Sequence, residues 1–168
     1  LTILLVIRVS SSLIIITFAE FYLRKPVFLL SQMITKTSKI FGMKPIIIGI
    51  AGGTGSGKTF LANKIKTIYP QKEIQTLKQD AFYHDFSHMS FKEREKINFD
   101  HPSSIDCELL LKKIKLLSDK RKVLAPGYDY SKHLRKNNQY AINPADIIIV
   151  EGIFVLYFEA IRALLEIK

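Results

Sequence analysis

Eight consecutive residues carry the most explicit chemistry in this chain. Gly52-Gly53-Thr54-Gly55-Ser56-Gly57-Lys58-Thr59 fits the spacing G-x-x-x-x-G-K-[ST]. Glycines allow a backbone loop to turn its N–H groups inward around phosphate oxygens, where side chains would collide. A helix opening near Gly57 would add its positive end. Lys58 supplies a point charge for the β and γ phosphates, and the Thr59 hydroxyl is a hard-oxygen ligand for Mg²⁺. A dinucleotide loop, G-x-G-x-x-G, shares Gly53 and Gly55, but its third glycine falls at the wrong place. Lys58-Thr59 decides for a nucleoside triphosphate.

The surrounding pattern supplies the elements such a loop needs. Ile46–Ala51 is an apolar run ending in glycines, as expected of a parallel strand covered on both faces. Thr59–Ile68 reads as the helix after the loop, and Ile74–Leu77 as a second strand ending at Lys78-Gln79-Asp80. Ser90–Ile97 reads as a polar surface helix, capped by Ser90 with Glu93 three residues on. Asp106–Leu117 is amphipathic, with Leu109, Leu110, Ile114 and Leu117 on one face. Ile147–Val150 is another all-apolar strand, Tyr157–Ile167 reads as helix, and Pro126–Arg135 as a loop. Strand, glycine turn, helix and strand again predict an α/β fold: a doubly wound, mainly parallel sheet of the P-loop nucleoside triphosphate-binding type. Ligands then bind beyond the carboxyl ends of the strands. Asp80, at the end of the second strand, should then project into the ligand crevice, and Glu151-Gly152 terminates the strand Ile147–Val150. Asn98-Phe99-Asp100-His101-Pro102 sets another acid among aromatics, and Pro126–Arg135 clusters aromatic, acid and imidazole groups.

Composition narrows the classes. The chain has 168 residues, 48% hydrophobic, with 8 Gly, 6 Pro, one Cys and no Trp. One core is feasible; a collagen, a disordered tail or a disulfide scaffold is not. Cys107 suits a reducing compartment, reads as a small core residue, and leaves no His/Cys spacing for zinc. The net charge of +10 divides into +4 on residues 1–43 and +6 on residues 44–168. Scattered basic residues fit a phosphate-bearing ligand, and no basic stripe with interleaved aromatics points to nucleic acid. Residues 1–43 form an apolar extension, with Arg8, Glu20, Arg24 and Lys25 interrupting its first 30 residues. It reads as upstream translation, a targeting segment or a membrane anchor. The kinase-like domain is expected over 44–168, starting naturally at Met43.

Five linked motifs resemble the uridine (uridine–cytidine) kinases of the uridine kinase and phosphoribulokinase group. They are GGTGSGKT at 52–59, QDAFY at 79–83, NFDHP at 98–102, PGYDYSKHLR at 126–135 and EGI at 151–153. The resemblance implies ATP- or GTP-dependent, Mg²⁺-assisted phosphorylation of uridine or cytidine at the 5′-hydroxyl. It implies Asp80 as catalytic base beside Lys58, and Asp100 on the ribose hydroxyls. Tyr128 and His133 would contact the pyrimidine, Tyr83 and Phe82 would wall the nucleoside pocket, and Glu151 would sit at the metal opposite Thr59. It also implies a cytoplasmic enzyme that assembles as a homo-oligomer, commonly a tetramer.

Plainer roles exist for each of these residues. Asp80 could cap a helix, Asp100 could be a turn acid in Asp-His-Pro-Ser-Ser, Glu151 could be structural, and His133 could lie on the surface. Ala81 stands where the family often has Ser, and Ser103-Ser104-Ile105 replaces a small-aromatic stretch. Family members continue past the position of Lys168 into another core strand and an arginine-rich lid. Turnover without that lid is expected to be severely reduced. The alternatives are a non-catalytic nucleotide binder, tethered to a membrane through residues 1–30, and a related small-molecule kinase of the phosphoribulokinase type.

Overall fold

The computed structural model describes residues 4–9, 12–17 and 44–167. β1 (Leu4–Val9) and β2 (Ser12–Thr17) form an antiparallel pair that meets β3 (Ile46–Ala51) at Leu4 and Ala51. The remainder of the 1–43 extension lies outside the described residues. Among the described residues, no helix is long and apolar enough to cross a membrane.

The centre of the molecule is a parallel sheet. β4 (Ile74–Lys78) and β7 (Ile147–Gly152) join β3, giving the order β2-β1-β3-β7-β4 with β3, β7 and β4 parallel. Strand period 2 sends successive side chains of β3 and β7 to opposite faces. Ile46, Ile48, Ile50, Ile147 and Ile149 pack on one face with Leu61, Ala62 and Ile65 of α1 (Lys58–Ile68). Ile47, Ile148 and Val150 pack on the other with Leu110, Ile114 and Leu117 of α3 (Cys107–Ser118). Helices on both faces explain why these strands read as unbroken apolar runs rather than alternating ones. Ile149, with no exposed surface in the central strand, measures the strength of this packing. Ile149→Ala is expected to lower the unfolding free energy by about 2–5 kcal/mol, read from urea denaturation.

Local signals end these elements where expected. Asp106 caps α3 by accepting from the Leu109 N–H at 3.0 Å. Ser90 and Glu93 form the anticipated capping box, although α2 is a single turn, Phe91–Arg94, rather than a helix to Ile97. Cys107 is partly buried against the core.

Two regions differ from the expectations. The segment read as a loop around Pro126–Arg135 is a β-hairpin, with β5 over Val123–Asp129 and β6 over Leu134–Ile142. Pro126-Gly127 looks like turn punctuation, yet it sits at a register shift in β5, where a two-stranded ribbon tolerates both residues. The segment Tyr157–Ile167 is helical only over α4 (Glu159–Arg162). Ile167 instead pairs in parallel with Ile48 at the edge of β3, donating to the Ile47 carbonyl and accepting from the Gly49 N–H at 2.7 Å. That pairing overrides the helical spacing of the preceding apolar residues.

Candidate active site

The glycine loop leaves β3 and enters α1 at the carboxyl end of the sheet. Gly55 (φ 73°) and Gly57 (φ 92°) both occupy left-handed backbone, which a β-carbon would strain. Ser56 is buried inside the loop with its hydroxyl unpartnered. Lys58 reaches back across the loop, its Nζ donating to the Gly53 carbonyl at 2.9 Å. Gly52, Gly53 and Thr54 complete the turn, with Gly53 and Thr54 exposed.

Two carboxylates flank this loop because their strands lie side by side. Glu151, near the end of β7, is buried, and its two oxygens accept from the Thr59 hydroxyl at 3.2 and 3.3 Å. Asp80 follows β4 in a single 3₁₀ turn, Gln79–Ala81, and its buried Oδ1 has no partner among the described residues. Burial raises the Asp80 pKa above the usual aspartate value, while the Lys58 and Lys78 cations pull it back down. The donor set fits a Mg²⁺-bound triphosphate: a left-handed glycine cradle, a lysine at its mouth, and a hydroxyl facing a buried carboxylate. Thr59 and Glu151 would hold the ion from the protein side. Among the described residues, no cluster of three His, Cys, Asp or Glu makes a separate metal cage.

The expected acceptor-side residues gather beside Asp80. The Tyr83 ring lies 5.1 Å from Phe99, edge-on, and 5.0 Å from Tyr128. His133 stacks on Phe99 at 4.9 Å and 13°, and Phe91 lies near-parallel to the same imidazole at 6.3 Å and 22°. The Tyr128 hydroxyl is buried and has no partner among the described residues. Burial pushes the Tyr83 phenol far up and Tyr128 up to about 12, so both remain neutral hydroxyls near pH 7. Asp100 is exposed, and its charge is felt at Tyr83. Phe82, expected at the pocket wall, has no exposed surface and packs in the core, where the 3₁₀ turn Gln79–Ala81 delivers it.

Sequence reasoning passed over the residues that hold this wall in place. Arg94, read as part of a solvated helix, is buried. Its Nε donates to the Lys132 carbonyl at 3.0 Å and its Nη1 to the Met89 carbonyl. Asp129 Oδ1 accepts from the Ser131 and Lys132 N–H groups, closing the same turn. His133 then takes φ 50°, a left-handed conformation uncommon for a side-chain-bearing residue. Arg135 donates to the Tyr83 carbonyl at 2.6 Å and pairs with Asp106 at 3.1 Å. Arg135 belongs to the 126–135 motif, which offered a signal; nothing in the local pattern marks Arg94.

Residues 47–168 match the phosphoribulokinase/uridine kinase family. The chain belongs to that family. A uridine kinase of Clostridium tetani is 49% identical over 125 residues, covering 74% of this chain and 60% of the relative. A uridine kinase of Streptococcus pyogenes serotype M5 is 46% identical with the same coverage. The chain thus spans about 60% of the length of these family members. Among solved structures, a putative fructose transport system kinase from Silicibacter sp. TM1040 superposes with a TM-score of 0.66 at 19% identity, covering 81% of this chain and 68% of the other. That likeness concerns the fold, and it agrees with the parallel sheet and glycine loop described above.

Proposed function

We propose that this chain carries the nucleotide- and nucleoside-binding part of a uridine kinase, which transfers the γ-phosphoryl group of ATP or GTP to the 5′-hydroxyl of uridine or cytidine. The observation that carries the proposal is the unpartnered Asp80 Oδ1, held between the lysine-bearing loop and the aromatic wall of Tyr83 and Tyr128. A buried carboxylate oxygen with no partner is costly, and its presence at this junction fits a base awaiting a hydroxyl proton. The similarity to two bacterial uridine kinases supports the nucleoside as acceptor.

The residues divide the work in this reading. The backbone N–H groups of 52–59 and the Lys58 ammonium bind the triphosphate and offset charge growing on the transferred group. Thr59 and Glu151 would hold Mg²⁺, which would supply compensating positive charge to the triphosphate. Asp80 accepts a hydrogen bond from the 5′-hydroxyl, orients it in line and takes its proton. Asp100 accepts from the ribose hydroxyls. His133 and the Tyr128 hydroxyl contact the pyrimidine, while Tyr83 packs against the nucleoside. The complete enzyme on this reading is cytoplasmic and homo-oligomeric, which size-exclusion chromatography of the full-length protein tests.

The experiment is a coupled ADP-release assay on the full-length enzyme with uridine, cytidine or ribulose 5-phosphate as acceptor. Release with uridine or cytidine alone supports the proposal. Release only with the sugar phosphate transfers the site to the phosphoribulokinase branch, and nucleotide binding without release leaves a non-catalytic binder. A second prediction follows from the buried arginine. Arg94→Leu removes the donor to the Lys132 carbonyl and loosens the turn that presents His133. It is expected to raise the nucleoside KM about tenfold, the scale of one charge-assisted hydrogen bond, with the ATP KM unchanged.

A further inference from the structure

Gln79 is a fully buried polar side chain wedged between the two acid-bearing strand ends. Residue 78 pairs with residue 151 in the parallel register of β4 and β7, so Gln79 emerges opposite Gly152. Its Oε1 accepts from the Phe154 N–H at 2.7 Å, which fixes the amide orientation and turns Nε2 the other way. The side chain lies directly over Gly152. A β-carbon there would stand 2.4 Å from both Gln79 Cβ and Oε1, a collision with a side chain that is itself buried and tethered. The residue after Glu151 must therefore be glycine as long as Gln79 occupies this place. Asp80 is joined directly to Gln79, and Glu151 directly to Gly152.

We propose that Gln79 is a positioning residue: through its bond to the Phe154 N–H and its seat on Gly152, it fixes Asp80 relative to the Thr59–Glu151 pair. This rests on Asp80 and Glu151 acting as assigned above. The amide crosses from the 3₁₀ turn carrying Asp80 to the turn that follows β7. Small displacements of a base relative to the transferring group reduce rate steeply without loss of affinity. The buried Nε2 has no partner among the described residues. A polar residue kept here at that cost is better explained by placement than by packing, since an apolar side chain of equal length would fill the volume without the unsatisfied donor.

The test uses Gln79→Met, Gln79→Gly, Gly152→Ala and the Gln79→Gly/Gly152→Ala pair in the full-length enzyme. Three quantities are read beside kcat: binding of a fluorescent ATP analogue with Mg²⁺, the nucleoside KM, and hydrogen exchange of the Phe154 amide. Gln79→Met should exchange the Phe154 amide faster and lower kcat about tenfold or more, with analogue affinity and nucleoside KM within about twofold of wild type. Gly152→Ala should lower kcat similarly. The pair should be no worse than Gln79→Gly alone, because removing the side chain together with its β-carbon makes room for the new methyl. Wild-type kcat in Gln79→Met overturns the inference. So does a parallel loss of affinity, KM and melting temperature, which would mark Gln79 as a packing residue only. A wild-type enzyme that binds the analogue yet transfers nothing to any nucleoside defeats the functional reading, and the inference falls with it.

Discussion

An Asp80→Asn enzyme is expected to release ADP in response to nucleoside about 10²–10⁴-fold more slowly than wild type, with binding of a Mg²⁺–ATP analogue little changed. The asparagine keeps the shape and hydrogen-bonding reach of the carboxylate but cannot take the hydroxyl proton. The same substitution is expected to stabilise the fold. Burial raises the Asp80 pKa in the folded protein, so the native state holds this proton more tightly than the unfolded chain does. Stability from this group is therefore present at low pH and lost as pH rises through the folded-state pKa. Above that point the protein holds a desolvated anion that asparagine does not have. Thermal melts from pH 4 to 8 should show the variant a few degrees more stable at neutral pH, with the gap closing toward the ordinary aspartate range. In wild type the same titration sets the acid limb of the pH–rate profile, with activity rising as Asp80 ionises. Undiminished ADP release by Asp80→Asn removes the residue from its assigned role. A gap independent of pH removes the electrostatic account of the stability.

The parts of this site that could be read in the sequence are those whose physics is local. The glycine loop announces itself because left-handed backbone at Gly55 and Gly57 leaves few residue choices. The strands before and after it announce themselves because two-sided burial demands isoleucine and valine at every position, as in Ile147–Val150. Asp80 and Glu151 followed from the rule that parallel strands present their carboxyl ends to ligand. The hairpin of β5 and β6 was hidden because Pro126-Gly127 mimics a turn and because β6, Leu134–Ile142, is polar along much of its length. The full burial of Phe82 was not legible because the chain after β4 passes through a 3₁₀ turn, which neither strand nor helix periodicity describes. Arg94 was hidden for a different reason, and so were the contacts of Arg135 and Gln79 although both residues lie in recognised motifs: each acts on a backbone group distant in sequence, the carbonyls of Lys132 and Tyr83 and the N–H of Phe154. No periodicity encodes such pairs. They are the braces of the site, and only the tertiary arrangement shows them.

Lys58→Ala should lower transfer at least as strongly as loss of one preorganised donor does elsewhere, about 10²–10³-fold, and it should also change the pH dependence. Lys58 does two things at once. Its ammonium closes the loop on the Gly53 carbonyl at 2.9 Å, ready to turn toward phosphate oxygens. It is also the stronger of the two cations that restrain the Asp80 pKa. Removing it leaves Lys78 alone to oppose burial, so the acid limb of the residual activity should move to higher pH. Lys58→Arg should not restore the rate, because a planar guanidinium cannot occupy the glycine cradle as a compact point charge does. Isothermal binding of the ATP analogue separates the two effects: lost phosphate affinity belongs to the first, while a displaced limb at saturating nucleotide belongs to the second. With Asp80→Asn added, the displaced limb has no group left to report, and the rate loss of the pair should fall well short of the product of the single losses. Full multiplicativity would mean that Lys58 and Asp80 work apart, and the electrostatic link between loop and base would have to be abandoned.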